Sequence, residues 1–220
     1  MAQIADHSPL AKRDPLNPLF NDWIIDLSTA LFPYGFDVRV NAPNTAADLS
    51  ATMRMGRMVV WDSDYSTSDI ADTETHRAFR ALHDWAHWRY DLPFTMAGEY
   101  AACHVHTSQI IRYFGRNEGV ERTIAQLWAN IISTLEYVAD HDGAYPADQH
   151  AFVEANIETW LPLARLLLER QGASDIHALK TAEGFEALRE EAGGCAYCIP
   201  IPRPTPTALP AELANLIGVC

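Results

Sequence analysis

From residue 69 to residue 171 the chain is interrupted in only a few places: at Asp91-Leu92-Pro93, between Gly115 and Gly119, and between Asp140 and Pro146. Those breaks hold the Gly, Pro, Asn and Asp expected of tight connections, and the stretches between them carry helical spacing of apolar residues. The pattern predicts helices over 69–90, 94–115, 118–140 and 147–171. Links this short force consecutive helices to run up and down beside one another. The expected fold class is therefore mainly α, an up-and-down helical bundle of about four long helices.

The remainder of the chain adds smaller pieces. Phe20, Trp23, Ile24, Leu27 and Leu31 fall on one face of a helix over 18–32, which Pro33-Tyr34-Gly35 ends. The alternation of Phe36, Val38 and Val40, a turn at Asn41-Ala42-Pro43-Asn44, and the run Arg57 to Trp61 predict a small N-terminal β-hairpin over 36–61. Asp62 to Asp69 resembles the start of a calcium loop but lacks Gly at its sixth position and Glu at its twelfth, so a plain loop is expected. Ser68 would cap the helix that follows, with Asp69 and Asp72 at its positive end. A further helix is expected over 175–191. Pro200, Pro202, Pro204, Pro206 and Pro210 make 199–220 an extended Pro-rich C-terminal arm. With 220 residues and no internal repeat, residues 1–198 read as one helical domain followed by that arm.

Sixteen Lys and Arg stand against 29 Asp and Glu, a formal charge of −13, which repels phosphate backbones and disfavours nucleic acid as a partner. No stretch reaches the ~18 apolar residues of a membrane span. The opening residues, with Asp6, His7, Pro9 and Lys12-Arg13, have no apolar run of the secretory kind, so a cytoplasmic location is expected. Cys103, Cys195, Cys198 and Cys220 are too few for a disulfide framework, and Cys195-x-x-Cys198 lacks the second pair a structural zinc site needs. Self-association into a homo-oligomer is compatible with all of this.

One segment departs from ordinary patterning. His83 and His87 lie four apart on the predicted helix 69–90, so both imidazoles project from one face with the reach to share a metal ion. The spacing is that of the zincin motif H-E-x-x-H, with the shorter Asp84 where the general-base Glu would stand. Folding helix 94–115 back about residue 92 or 93 sets Glu99 opposite His87 and Cys103 beside His83. The same construction about residue 117 brings Glu136 near Glu99, and the fourth helix brings Glu154 to the level of residue 134. Inward Glu and His at one depth is how helical bundles hold metal ions. The metal candidates are His83, His87, Glu99 and Glu136; Asp84 or Glu136 would serve as general base, and Arg80, one turn before His83, would orient substrate. The alternative is plain packing, with the histidines satisfied in the core and the glutamates on solvated faces. His76 shares the stripe but lies too far for the same ion. His104, His106 and His141 take no assigned side. Phe79, Trp85, Trp88 and Phe94 read as core and wall.

The string aromatic-Arg-x-x-His-Asp-x-x-His followed by Phe-x-x-x-Gly-Glu, here Phe79, Arg80, His83, Asp84, His87, Phe94, Gly98 and Glu99, resembles a group of uncharacterised proteins encoded by bacteriophages. The resemblance covers a small part of the chain. It implies a site, a phage or prophage origin and the host cytoplasm, without a particular reaction. The segment is also similar to gluzincins, in which Glu99 or Glu136 would be the third ligand. It is less similar to HD phosphohydrolases, where Asp140 would be the distant Asp but no preceding-helix His is present. The expected function is a metal-dependent hydrolase using zinc, with manganese or iron as alternatives, to activate water on a small-molecule or peptide substrate. A binding or assembly protein with structural histidines is the non-catalytic alternative. A di-iron oxidase ranks lower because no Glu-x-x-His occurs.

Overall fold

The computed structural model describes residues 14–62, 68–70 and 72–170. The predicted helix over 175–191, the Cys195/Cys198 pair and the Pro-rich arm lie outside the described residues, as does most of the loop before Ser68. The described chain is mainly helical with a small two-stranded sheet: α1 (Pro18–Leu31), β1 (Asp37–Arg39), α2 (Ala46–Arg54), β2 (Val59–Trp61), α3 (Thr73–Tyr90) and α4 (Met96–Phe114). One continuous helical rod follows, made of α5 (Val120–Trp128), a π-helical turn (Ala129–Ser133) and α6 (Thr134–Asp140), and then α7 (Gln149–Arg170).

The sheet corrects the expected hairpin. β1 and β2 pair in parallel, with Asp37 opposite Val59, Val38 opposite Val60 and Arg39 opposite Trp61. Two neighbouring strands joined by a tight turn must run antiparallel, whereas a parallel pair needs a crossover. Here α2 supplies it. Its start is written as Thr45-x-x-Asp48: the Thr45 hydroxyl accepts from the Asp48 N–H at 3.1 Å and donates to Asp48 Oδ2 at 2.7 Å. Leu49 and Met53 turn inward from the same helix, which anchors the crossover.

α1 packs on α3 and α5, α3 on α4, α4 on α5, and α7 on α5 and the π turn. The N-terminal helix is thus a full partner in the helical layer, with Phe20, Trp23, Ile24 and Leu27 in the core. Single buried hydrogen bonds fix how these helices register. Trp128 Nε1 donates to Thr107 Oγ1 at 3.0 Å, tying α5 to α4. Trp160 Nε1 donates to Ser133 Oγ at 2.8 Å, tying α7 to the π turn. Asn17 caps α1 by accepting from the Leu19 N–H, and its amide donates to Thr123 Oγ1 at 2.8 Å, tying α1 to α5. Because the alternative to each is a buried unpaired donor, each bond selects one register.

The start of α3 also differs from expectation. Asp72, not Ser68, is the cap, accepting from the Thr75 N–H at 2.8 Å. Ser68 Oγ instead accepts from the Ile70 N–H and meets His76 Nδ1 at 2.6 Å. Asp69 is wholly buried and accepts from Gln126 Nε2 at 2.8 Å and Asn130 Nδ2 at 2.5 Å, pinning the loop to the long rod. Burial pushes the Asp69 carboxyl up, and those two amides only partly offset it.

Candidate metal centre

The end of α3 is built by its own sequence. Asp91 adopts the left-handed conformation, φ 56° and ψ 40°, as Asp does more readily than most residues. The Leu92 N–H then reaches back to the His87 carbonyl at 2.9 Å, and the Asp91 N–H to the Trp88 carbonyl at 3.4 Å, the paired bonds of a Schellman cap. This turn brings the Leu92 carbonyl to His87 Nδ1 at 3.2 Å. A carbonyl can only accept, so Nδ1 carries the His87 ring proton and Nε2 presents a lone pair.

Pro93 then ends the helical path and Thr95 opens α4, its hydroxyl accepting from the Gly98 N–H at 3.3 Å. Gly98 lies so close to the turn that a Cβ there would stand 1.8 Å from the Pro93 carbonyl oxygen. Only glycine fits, and that contact delivers the next residue, Glu99, to the two histidines. Glu99 Oε2 is 2.9 Å from His83 Nε2 and 3.4 Å from His87 Nε2, and the two Nε2 atoms are 3.1 Å apart.

These edges suit a cation. Ligand atoms at ~2.0–2.1 Å from a tetrahedral zinc stand ~3.3 Å from each other, close to the observed triangle. Two lone-pair nitrogens at 3.1 Å repel unless a proton or a cation sits between them. Three ligand atoms of different residues therefore converge, and the cluster could hold a metal ion. Burial raises the Glu99 carboxyl, but His83, whose Nε2 lies 2.9 Å from Oε2, outweighs it and holds the group well below the usual carboxylate range, so it is ionised at neutral pH. The side chains of His83, His87 and Glu99 are 8, 0 and 12 % exposed. Phe94 covers the His87 ring at 4.5 Å between centres, and Phe79 lies 6.2 Å from the His83 ring.

Glu136 and Glu154 stand elsewhere. Both are exposed, on α6 and α7, and Glu136 Oε1 accepts from the Tyr100 hydroxyl at 3.3 Å. Burial and that carboxylate push the Tyr100 hydroxyl up to about 12. Past Thr134 no residue of α6 is fully buried. Asp84 is buried on α3 and outside the cluster. Arg80 is half-buried; its charge, after burial, helps press His76 down to about 3. Asp140 is exposed at the end of α6.

Cys103, one turn from Glu99, is fully buried, and burial followed by the Glu99 charge pushes its thiol well up, so it stays a thiol. His141 is exposed. His104 is half-buried and pressed down to about 4 by burial. His106 is the residue the sequence reasoning passed over. It is fully buried, its ring 5.7 Å from the His83 ring, and burial followed by His83 presses it down to about 3. The signal was available, since Glu99, Cys103 and His106 follow one another at helical spacing on one stripe. Comparison of the chain with protein-family models, curated proteins and solved structures finds no match.

Proposed function

We propose that the chain is a metal-dependent hydrolase, built on an up-and-down helical bundle, in which His83, His87 and Glu99 hold one divalent cation. Zinc is the first choice, with manganese or iron as alternatives. The observation that carries this reading is the triangle of His83 Nε2, His87 Nε2 and Glu99 Oε2, with edges of 2.9, 3.1 and 3.4 Å. The His87 bond to the Leu92 carbonyl supports it by committing the other nitrogen to ligation.

When bound, such an ion lowers the pKa of its water to about 7 and polarises the group under attack. His83, His87 and Glu99 would hold the ion, and a set of three protein ligands is the open kind that catalytic rather than structural zinc sites use. Glu99 contributes one full negative charge, and Phe94 over His87 shields the centre from bulk solvent. The proton would leave to a carboxylate, with Asp84 and Glu136 as the candidates, and Arg80 would orient the substrate, a small molecule or a peptide. The charge of −13 argues against a nucleic-acid substrate. A di-iron centre would need more carboxylates than the one present in the cluster.

The near-complete burial of the three side chains favours one second reading, a binding or assembly protein, phage-encoded as the motif implies, whose histidines hold a closed structural ion. Elemental analysis of protein purified without chelator or nickel, beside the His83→Ala/His87→Ala variant, is the test. About one zinc, manganese or iron per chain, lost in the folded variant, is the expected result. No metal in either overturns the proposal. A loaded protein that hydrolyses none of a panel of esters, peptides and phosphoesters leaves the structural ion.

A further inference from the structure

Inside the core the His106 ring lies 5.5 Å from the Trp23 ring and 5.7 Å from the His83 ring, centre to centre. All three residues are buried, and Trp23 and His106 almost perfectly so. Each keeps one ring nitrogen without a hydrogen-bond partner among the described residues: Trp23 Nε1, His106 Nε2 and His83 Nδ1. Buried polar atoms are costly to leave unpaired, and each such atom in a native core calls for an explanation.

The three atoms have complementary roles. Trp23 Nε1 can only donate. His106 Nδ1 lies 2.9 Å from Gln109 Oε1, which accepts, so the His106 proton is on Nδ1 and Nε2 offers a lone pair. His83 turns Nε2 toward Glu99 and His87, leaving Nδ1 on the far side of the ring. A donor, an acceptor and a nitrogen of either kind suit one water molecule, which makes about three hydrogen bonds when buried. They do not suit a cation, because the indole N–H would point at it.

We infer that an ordered water sits among Trp23 Nε1, His106 Nε2 and His83 Nδ1, and that His106, fixed by Gln109, is through this water a positioning residue for the ligand His83. The positioning role rests on the metal reading above; the water does not. With His87 Nδ1 committed to Leu92, the proton shared within the free cluster is the one on His83 Nε2, 2.9 Å from Glu99 Oε2. The water then donates to His83 Nδ1. To offer Nε2 to a cation, His83 must carry its proton on Nδ1 instead. The water turns to accept it, still donating to His106 and still accepting from Trp23. An apolar side chain in place of His106 removes the acceptor that orients this water, and His83 loses the partner that sets its ligating form.

The test pairs a crystal structure of the full chain that resolves ordered water with zinc titrations of the wild type, His106→Phe and His106→Gln, each checked for folding by thermal melting. A density peak within hydrogen-bonding distance of all three nitrogens is expected, and its absence overturns the inference. His106→Phe should bind zinc about 10- to 100-fold more weakly. His106→Gln, whose carboxamide can face the same water, should recover most of that loss, which a purely packing role would not produce. Equal zinc affinity in the wild type and the folded Phe variant overturns the positioning role. If the Phe variant does not fold, a loss as large in the Gln variant overturns it equally. A wild type that binds none of zinc, manganese and iron overturns the metal reading and the positioning role with it, while the density peak decides the water separately.

Discussion

Gly98→Ala should disable the centre without touching a ligand. The new Cβ would stand 1.8 Å from the Pro93 carbonyl oxygen and 2.9 Å from its carbon, where ordinary contact begins at 3.4 Å. Relief requires 3.4 − 1.8, or 1.6 Å, of separation between backbone and backbone. Neither side gives freely: the turn is tied to α3 by the Leu92 N–H to His87 bond, and α4 is held at its start by Thr95. Overpacking of this kind costs about 3 kcal/mol, a loss of about 6–12 °C in Tm for a chain of this size. Glu99 follows Gly98 directly, so a shift of that size opens its contacts to His83 and His87, now 2.9 and 3.4 Å, beyond what one ion can span. Zinc titration should show at least a 100-fold loss of affinity, since misplaced outer groups alone cost about 10- to 100-fold. Gly143→Ala is the control. Its φ is +86° but nothing lies within 4 Å of a Cβ there, so it should carry only backbone strain of about 1 kcal/mol and leave zinc binding intact. A Gly98→Ala protein that melts within 2–3 °C of wild type, about 1 kcal/mol, and binds zinc equally would refute the argument.

Glu99→Gln keeps the shape of the third ligand and removes its charge; zinc affinity by calorimetry should fall more than about 100-fold while the metal-free Tm moves by less than about 4 °C, and unchanged zinc binding would contradict the proposed ligand set. His76, pressed from 6.5 to about 3, is neutral in the fold and protonates first in the unfolded chain, so the stability it contributes is complete above pH 6.5 and is lost as pH falls toward 3. Urea unfolding at pH 7.5 and 5 should therefore show His76→Gln losing about 2 kcal/mol less than wild type over that interval, an equal loss in both ruling out a buried neutral His76. Deleting Ala129 would return the long rod to a regular α period, so Asn130 to Asp69 and Ser133 to Trp160 could no longer both form. A Tm loss of about 4 °C or more is expected, and a deletion variant as stable as wild type would show that the π turn is not needed for those two bonds.

The long helices and the meeting of Glu99 with His83 and His87 were legible because both depend on local signals. Asp91-Leu92-Pro93 and Gly115 to Gly119 are strong punctuation, and a tight link leaves the returning helix one depth at which to lie. The parallel sheet was not legible in the same way. A run of valines says that a strand exists, not which way its neighbour runs, and the direction is decided by what lies between. There Thr45-x-x-Asp48 was the readable helix start, and without it α2 passes for the loop of a hairpin. Ser68 and Asp69 misled for a different reason. Both are common helix-start residues, but the fold takes them into the core, one to His76 and one to Gln126 and Asn130, and tertiary contacts of that length leave no trace in spacing.

Glu136 shows where depth and direction part. Reflecting one helix onto the next predicts the level at which a residue lies, and it holds for Glu99 because only a turn of α4 separates that residue from the reflecting turn. Predicting the face requires the helical phase to be kept without error from the turn to the residue. Between Gly119 and Glu136 the chain passes through Ala129–Ser133, where each N–H reaches one residue further back and the phase slips by ~100°. The slip is itself anchored: Asn130 meets a wholly buried Asp69 and Ser133 meets Trp160 at 2.5 and 2.8 Å. Beyond the slip Glu136 is exposed and meets the Tyr100 hydroxyl, beside Glu99 in sequence but outside the cluster. The residues that do converge are two histidines and one carboxylate, His83, His87 and Glu99, a cluster that could hold a metal ion.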